Sequence, residues 1–374
     1  MKILDVTHFY SRRGGGIKTY IDNKIDYFSR FDDIHHTLLI PDEEDRVFFK
    51  KKTKVITIKS PQLLFSKNYR LIINPLKLAK IIEEENPDVV EIGSPFLIPS
   101  VVKYIQEKKG FKIVGFFHSD LEKVSDNVIK KGNLIKPLVK KYVHKTYNDM
   151  DCVIAPSNYI QNYLKKIGVS KVEVVYHGID VGRFTNSQID RSLRNFYGIP
   201  ENKIVLIYAG RFSPDKNFSE LLRIFKTLNY LKPNVYHLLL VGDGNLKEEI
   251  YDTLDSDYTV LDYINDKDEL IRIYKVSDIF VSASKSDTFG ISLIEAQACG
   301  LPVVAYSENS FPEIVYYKNF LAKDSLDFAY KIITLSQNLP YIDREKMISF
   351  VKDNFDLNIT MSKLIKVYEK VLSI

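Results

Sequence analysis

The stretch SASKSDTFGISLIEAQACGLPVV, residues 282–304, carries the strongest signal for fold and chemistry in this chain. An apolar, strand-like run ends near its start, a loop with Asp287 and Gly290 follows, and a helical pattern then ends at Gly300 and Pro302. A strand, a glycine-containing loop and a helix in this order are typical of βαβ units. The dipole and the unpaired N–H groups of such a helix start attract phosphate. The stretch therefore predicts an anion-binding loop at the edge of a parallel sheet.

Strand-like and helix-like segments alternate along the rest of the chain in two series. The first series of apolar runs is MKILDV, HTLLI, KVITI, VVEI, KIVGFF and CVIAPS, and the second is KIVLIYAG, YHLLLVG, YTVLDYI, DIFVSAS and PVVAY. Two series predict an α/β protein with two doubly wound domains, separated near YHGIDVGRF, residues 176–184. Ligands of such sheets bind beyond the carboxyl ends of the strands, so we expect the site in a cleft between the domains.

Length and composition favour a globular, intracellular protein. The chain has 374 residues, enough for two domains of ordinary size, and 45% of them are hydrophobic and 27% charged. Its two cysteines, Cys152 and Cys299, lie in apolar runs, which indicates buried thiols in a reducing cytoplasm rather than a disulfide framework. We expect no signal peptide, because MKILDVTHFY reads as a strand that enters a loop.

A glycine-rich loop follows the first strand in RRGGGIKTYI, residues 12–21. A P-loop needs Gly directly before Lys, but here Ile17 separates Gly16 from Lys18. The dinucleotide fingerprint also fails, since Thr19 occupies its last glycine position. Two interpretations stay open: a loop that lets a ligand approach the backbone at a helix start, or a plain flexible loop.

Two further groups of side chains point to a phosphorylated ligand. In AGRFSPDKN, residues 209–217, Arg211 and Lys216 follow a strand directly and would suit a diphosphate, although surface salt bridges explain them equally well. Asp287 and Glu295, in the opening stretch, could accept hydrogen bonds from sugar and ribose hydroxyls. The simpler interpretation is that Asp287 caps the helix and Glu295 is solvated.

Basic residues are concentrated between Arg46 and Lys80. The ten are Arg46, Lys50, Lys51, Lys52, Lys54, Lys59, Lys67, Arg70, Lys77 and Lys80, and no acidic residue lies among them. Aromatic and apolar residues are interleaved with these charges. A solvated face and contact with an anionic membrane surface both remain open, because each basic residue near such a surface contributes ~1 kcal/mol. Nucleic acid is not expected, since no binding module accompanies the charge.

Together these motifs resemble the retaining GT-B glycosyltransferases of family 4, over nearly the whole chain. That family has a glycine-rich first loop, a histidine after a mid-domain strand, an Arg…Lys pair and an E-x7-E motif, and all four occur here in order. The resemblance implies a GT-B fold with two Rossmann-like domains facing a cleft. Residues 1–178 would be the acceptor domain and 179–357 the donor domain. The C-terminal helix, 358–374, would join the first, although patterning alone lets it pack on either.

The resemblance also implies roles for individual residues. Arg211 and Lys216 match the pair that holds the donor diphosphate, Glu295 the acid that binds ribose, and His118 the histidine that reaches the donor sugar. Asp287 stands where the family usually has Glu, and this shorter side chain weakens any inference about the sugar. The implied substrate-binding residues are Gly15, Gly16, Asp120, Gly242, Phe289, Gly290 and Ile291.

The expected activity is transfer of a sugar from a UDP- or GDP-linked donor to an acceptor hydroxyl, with retention of configuration. Lipid-linked or saccharide acceptors are expected, in glycolipid, lipid-linked saccharide or cell-surface polysaccharide synthesis. We expect neither a cofactor nor a metal, and a cytoplasmic protein, peripheral on the inner membrane face if the basic stretch binds lipid. The alternatives are a GT-B sugar-nucleotide epimerase or a non-catalytic nucleotide-sugar binding protein.

Overall fold

The structure, a computed structural model, describes residues 1–11, 15–63, 66–118 and 132–374. The chain forms two compact units, each with a parallel sheet: Met1–Gly178 with Leu357–Ile374, and Ile179–Asp356. We call them the N-terminal unit and the C-terminal unit. The predicted fold class is confirmed.

The sheet of the N-terminal unit has the strand order β10-β9-β8-β7-β1-β2-β4-β3 in the described residues, and all its pairs are parallel except β3 with β4. Its strands are β1 (Lys2–Val6), β2 (His35–Asp42), β3 (Arg46–Lys50), β4 (Thr53–Lys59), β7 (Val89–Ile92), β8 (Lys112–Phe116), β9 (Cys152–Ala155) and β10 (Val172–Val174). Strands β5 (Gln62–Leu63) and β6 (Ser66–Arg70) form a separate antiparallel pair.

Helices cover both faces of this sheet, as parallel strands require. They are α1 (Gly16–Phe28), α2 (Pro75–Glu85), α3 (Ile98–Lys109), α4 (Gly132–Asn148), α5 (Asn158–Lys166) and the C-terminal α15 (Leu357–Leu372). Alternate residues of β1 face opposite cores: Leu4 and Val6 lie in one cluster, and Ile3 lies in the other with residues of α1 and α15. The last helix therefore belongs to the N-terminal unit.

A buried polar network also holds α15 on this unit. Lys24 of α1 lies between Asp5, at 2.7 Å, and Glu91, at 3.0 Å. Tyr368 of α15 donates a hydrogen bond to Glu91, and Tyr20 donates another at 3.1 Å. Burial opposes ionisation of Asp5, but the charges and hydrogen bonds of Lys24 and His36 together outweigh it and lower the pKa of Asp5 to about 2. Each buried charge thus has a partner, which burial in a core requires.

The C-terminal unit has a second parallel sheet with the order β13-β12-β11-β14-β15-β16. Its strands are β11 (Ile204–Ala209), β12 (Tyr236–Val241), β13 (Tyr258–Leu261), β14 (Ile279–Ser282), β15 (Val303–Tyr306) and β16 (Leu321–Ala322). Its helices are α6 (Val181–Thr185), α7 (Ser192–Phe196), α8 (Phe218–Leu231), α9 (Glu248–Thr253), α10 (Lys267–Lys275), α11 (Ile291–Ala298), α12 (Phe311–Ile314), α13 (Ser325–Asn338) and α14 (Arg344–Phe355). The strand order reverses between β11 and β14, and ligands bind beyond the strand ends at such a point.

The basic stretch 46–80 is largely neutralised by acidic side chains from elsewhere in the N-terminal unit. Its ion pairs are Arg46–Asp42, Lys50–Asp22, Lys51–Asp26, Lys52–Asp32, Lys54–Glu85, Arg70–Glu43, Lys77–Asp45 and Lys80–Glu84. Surface pairs of this kind add little stability, but they cancel local charge. The electrostatic reason for predicting membrane contact at this stretch is therefore weakened.

No helix in the part of the chain that the structure describes is both long enough and apolar enough to cross a bilayer.

Candidate active site

The two predicted cations lie just beyond the carboxyl end of β11, and both already hold a carboxylate. Arg211 Nη2 is 2.6 Å from Asp215 Oδ2, and Lys216 Nζ pairs with Asp287 Oδ1. Ser213 donates to the other oxygen of Asp215 at 2.6 Å. The fold thus brings together residues that are 71 positions apart in sequence, and a bound anion would have to exchange with these carboxylates.

Asp287 lies in the loop after β14 and is kept ionised by its surroundings. Burial alone would raise its pKa, but the charge and hydrogen bond of Lys216 outweigh it, with help from Ser284 and Arg211, so that its pKa is lowered. Asp287 is therefore an anionic hydrogen-bond acceptor at neutral pH. The simpler interpretation, in which it caps the following helix, fails, because no side chain caps the N-terminus of α11.

The N-terminus of α11 is built around Gly290. Its φ of 101° is one that residues with a side chain rarely adopt, and an added Cβ would lie 2.8 Å from Phe311 Cε1. The preceding carbonyl, that of Phe289, accepts a hydrogen bond from Ser310 at 2.6 Å. Ile291 is the first helical residue, so its amide lies where helix N-terminal N–H groups and the helix dipole favour an anion.

Glu295 lies farther along α11 and has different partners. Its residue is only 4% exposed, so the interpretation as a solvated side chain is wrong. Lys267, at the start of α10, pairs with Glu295 Oε1, and Tyr274 donates to Oε2 at 3.4 Å. Neither partner could be predicted from the sequence, because NDKDEL, residues 265–270, indicates only a charged helix start.

Gly242 supports the Arg211 loop through its backbone. It has a φ of 149°, and a Cβ there would overlap the carbonyl oxygen of Gly210. Two hydrogen bonds join the same segments: the Gly210 amide donates to Val241 O at 3.0 Å, and the Phe212 amide donates to Asp243 O at 3.0 Å. The loop therefore approaches the end of β12 as closely as backbones allow, and this approach requires Gly242.

We expect Gly242→Ala to lower the free energy of unfolding by about 3 kcal/mol, because it forces apart two hydrogen-bonded loops. Urea unfolding measures this, with Gly198→Ala as the control. Gly198 also has a positive φ, 67°, but an added Cβ there meets nothing within 4 Å. Equal losses in the two variants would show that backbone strain, not the close approach, sets the cost.

His118 follows β8 in the N-terminal unit and lies in a stack of rings. Its ring is 4.2 Å from that of Phe116 and 6.0 Å from that of His177, all nearly parallel, and the Tyr20 ring packs edge-on at 5.3 Å. Burial, with smaller contributions from His177 and Lys24, lowers its pKa well below the ordinary value. The imidazole is therefore neutral at physiological pH and can donate from one nitrogen and accept at the other.

The glycine loop is described only in part. Gly15 stands at the N-terminus of α1, where no side chain caps the helix, and a Cβ on it would meet nothing within 4 Å. Gly16 is the first helical residue. Asp120 and residues 12–14 lie outside the described residues.

Within the described ranges, no group of three His, Cys, Asp or Glu side chains could hold a metal ion.

Two family models match this chain one after the other. The model for Glycosyltransferase Family 4 matches residues 14–183, and the model for Glycosyl transferases group 1 matches residues 190–353. The chain belongs to glycosyltransferase family 4. It is a GT-B enzyme of the retaining class that uses nucleotide sugars, and the prediction of a glycosyltransferase is confirmed.

Similar proteins include two enzymes whose names contain a lipid. The chain is 27% identical over 67% of its length to the alpha-monoglucosyldiacylglycerol synthase of Streptococcus pneumoniae, of which the match covers 58%. It is 21% identical over 84% of its length to the GDP-mannose-dependent alpha-(1-6)-phosphatidylinositol dimannoside mannosyltransferase of Mycobacterium tuberculosis, of which it covers 82%. Among solved structures, Anabaena Alr3699/HepE in complex with UDP-glucose matches with a TM-score of 0.76 at 19% identity, over 99% of this chain and 100% of that one.

Proposed function

We propose that this family 4 enzyme transfers a sugar from a UDP- or GDP-linked donor to a hydroxyl of a lipid or lipid-linked acceptor, with retention of configuration. The observation that carries the proposal is the convergence of Arg211, Lys216 and Asp287 beyond the ends of β11 and β14. A sugar joined to a diphosphate needs cations and a helix N-terminus for its phosphates, and an anionic hydrogen-bond acceptor for its sugar hydroxyls.

The donor diphosphate takes the place of the carboxylates now held by the two cations. Arg211 leaves Asp215, Lys216 leaves Asp287, and both turn to phosphate oxygens. The N-terminal amides of α11 add their dipole. As the glycosidic bond breaks, negative charge builds on the leaving phosphate, and fixed cations that meet this charge usually supply the largest catalytic contribution.

Asp287 accepts hydrogen bonds from the donor sugar once Lys216 has moved to the phosphate. Its lowered pKa keeps it ionised throughout. We assign it to binding rather than to nucleophilic attack, following the family resemblance, in which the acceptor attacks on the same face and the leaving phosphate takes its proton. Because Asp is one methylene shorter than the usual Glu, its sugar contact lies at a different hydroxyl or includes a water.

Glu295 accepts hydrogen bonds from the ribose hydroxyls. Its carboxylate is nearly buried, Tyr274 orients it through Oε2, and Lys267 pairs with Oε1 until the ribose hydroxyls take its place. A carboxylate fixed in this way can bind two neighbouring hydroxyls, and leaving them unpaired would be costly.

His118 orients the donor sugar as a neutral imidazole. Its lowered pKa argues against a role as a general acid or as a charged group. The parallel stack with Phe116 fixes the plane of the ring, so the direction of its hydrogen bonds is set before a sugar arrives.

A lipid acceptor is supported by the names of two relatives, one a synthase of alpha-monoglucosyldiacylglycerol and the other a phosphatidylinositol dimannoside mannosyltransferase. The fold by itself does not select an acceptor, because one fold supports many substrates.

Thermal-shift measurements with UDP-, GDP- and ADP-sugars test the donor. A donor at 100 times its Kd raises the free energy of unfolding by about 2.7 kcal/mol. UMP and GMP are the controls, because a site built for a diphosphate responds weakly to monophosphates. The stabilising donor is then incubated with diacylglycerol, a glycolipid or a soluble sugar. The proposal predicts a lipid product with the donor's anomeric configuration, whereas transfer to the soluble sugar alone or inversion would contradict it.

A further inference from the structure

Helices α4 and α5 of the N-terminal unit carry lysines whose charge is not cancelled. Lys141 and Lys145 of α4 and Lys165 and Lys166 of α5 are exposed, and they form no ion pair with any residue that the structure describes. We call these four residues the lysine face.

The lysine face differs from the basic stretch 46–80 in the electrostatic field that it produces. Lys50, Lys51 and Lys52 lie 2.5 to 2.7 Å from aspartates, so their field at a distance is that of ion pairs. The lysine face has a net positive field, which attracts an anionic surface over about a Debye length, ~8 Å at physiological salt.

The two helices enclose a shallow basic pocket. Its volume is about 490 Å³, and it is lined by Lys140, Lys141, His144, Tyr163, Lys166 and Ile167. Its three lysines can pair with the phosphate groups of an anionic ligand.

An apolar rim borders the lysine face on α4. Leu138 and Tyr142 are 68% and 42% exposed. Lys141, Tyr142 and Lys145 follow Leu138 by three, four and seven positions in α4, so all four residues share one side of the helix. The opposite side, with Val143 and Tyr147, is buried in the core.

The rim continues onto the loop after β7. Tyr142 donates a hydrogen bond to Pro95 O, and the next residues, Phe96 and Leu97, are each 39% exposed. The Phe96 ring packs against that of Phe9 at 6.3 Å, beyond the end of β1. Apolar and aromatic side chains therefore extend from α4 to the carboxyl ends of the central strands.

We propose that the lysine face and this apolar rim form the surface by which the enzyme docks on an anionic lipid bilayer. The lysines meet the phosphate headgroups, while Leu138, Phe96 and the amphipathic ring of Tyr142 enter the interfacial layer. The charge complementarity favours lipid over a neutral partner, and the exposed apolar rim favours lipid over nucleic acid. Docking needs no donor, so it stands apart from the proposed function.

Sedimentation of the full chain with vesicles tests the proposal. The test variant is Lys141→Gln/Lys145→Gln/Lys166→Gln, and the matched control, with the same change in charge, is Lys50→Gln/Lys51→Gln/Lys52→Gln. Each lysine at an anionic surface raises the partition coefficient about fivefold. The test variant should therefore partition on the order of 100-fold less to phosphatidylcholine vesicles that contain phosphatidylglycerol. The control should lose no more than about threefold, because Lys50, Lys51 and Lys52 lie at the β3–β4 edge of the sheet, whereas α4 and α5 connect strands β8, β9 and β10 at its other edge.

A second variant tests the apolar rim. Leu138→Asn leaves the charge unchanged and should weaken binding roughly fivefold, by removing apolar area from the bilayer interface. Circular dichroism and thermal shift with the donor check that each variant remains folded.

Three results would overturn the proposal: equal losses in the two lysine sets, unchanged partitioning of the test variant, or wild-type binding that does not depend on phosphatidylglycerol. Stronger binding to heparin or RNA than to vesicles would also overturn it, by identifying a general polyanion surface. If the enzyme fails to transfer sugar from any donor but the vesicle result stands, the proposed function fails and the docking surface does not.

Discussion

Lys216→Ala is expected to lower kcat roughly 100-fold or more with the best donor. The physical reason is that the Lys216 charge meets the negative charge that builds on the leaving phosphate, and this interaction is stronger in the transition state than in the bound donor. The change in KM should be smaller, since Arg211 and the α11 amides still hold the diphosphate. Initial rates over a range of donor concentrations measure both constants.

The control for this prediction is Lys226→Ala, which removes a lysine of α8 in the same unit. Its Nζ contacts only the Thr253 carbonyl, at 3.4 Å, among the described residues, and its rate should be unchanged. Because Lys216→Ala also leaves Asp287 without its cation, thermal unfolding of the variant must be compared with that of wild type. A folded variant with kcat within threefold of wild type would contradict the assigned role.

Glu295→Gln is expected to weaken nucleotide binding by about 10- to 100-fold. Hydrogen bonds to a charged acceptor contribute ~1.5–3 kcal/mol, and the amide keeps the shape of the side chain but loses its charge and one acceptor. Calorimetric titration with UDP and GDP measures the loss directly, without an acceptor substrate.

The variant Lys267→Gln tests whether Glu295 binds the ribose or serves only to hold Lys267 in place. If Glu295 binds ribose, removing its competing cation should leave nucleotide affinity unchanged or raise it, since Glu295 no longer has to leave an ion pair. If Glu295 serves only to hold Lys267, the two variants should behave alike. Loss of affinity in Lys267→Gln with none in Glu295→Gln would reverse the assignment.

The alternation of apolar runs was sufficient to predict the fold. Each of the eleven runs contains or overlaps a strand of the structure, because central parallel strands are buried on both faces and therefore appear as continuous Val-, Ile- and Leu-rich segments. The missed elements, such as β3 and β16, lie at sheet edges, where burial is partial or the strand is very short. In β3, RVFFK, no period-2 pattern appears because neither face is buried.

The sequence predicted which residues lie at the candidate site, but not which side chains they pair with. Arg211, Lys216 and Asp287 each follow a strand, so local sequence indicates that they reach the same sheet edge. Which carboxylate holds which cation depends on tertiary distances between segments many residues apart, as for Lys216 with Asp287 and Lys267 with Glu295. The neutralisation of the 46–80 stretch could not be predicted for the same reason, since Asp22, Asp26 and Glu85 are its partners across the fold.

The central claim is that Arg211 and Lys216 of the C-terminal unit hold a nucleoside diphosphate. Calorimetric titration of Arg211→Ala/Lys216→Ala with UDP and GDP, alongside wild type and the monophosphates, tests it most directly. The account predicts that the double variant loses affinity for the preferred diphosphate by on the order of 100-fold or more. Its weak affinity for the monophosphate should stay close to that of wild type. Equal affinity of the folded double variant and wild type for the diphosphate would contradict the account.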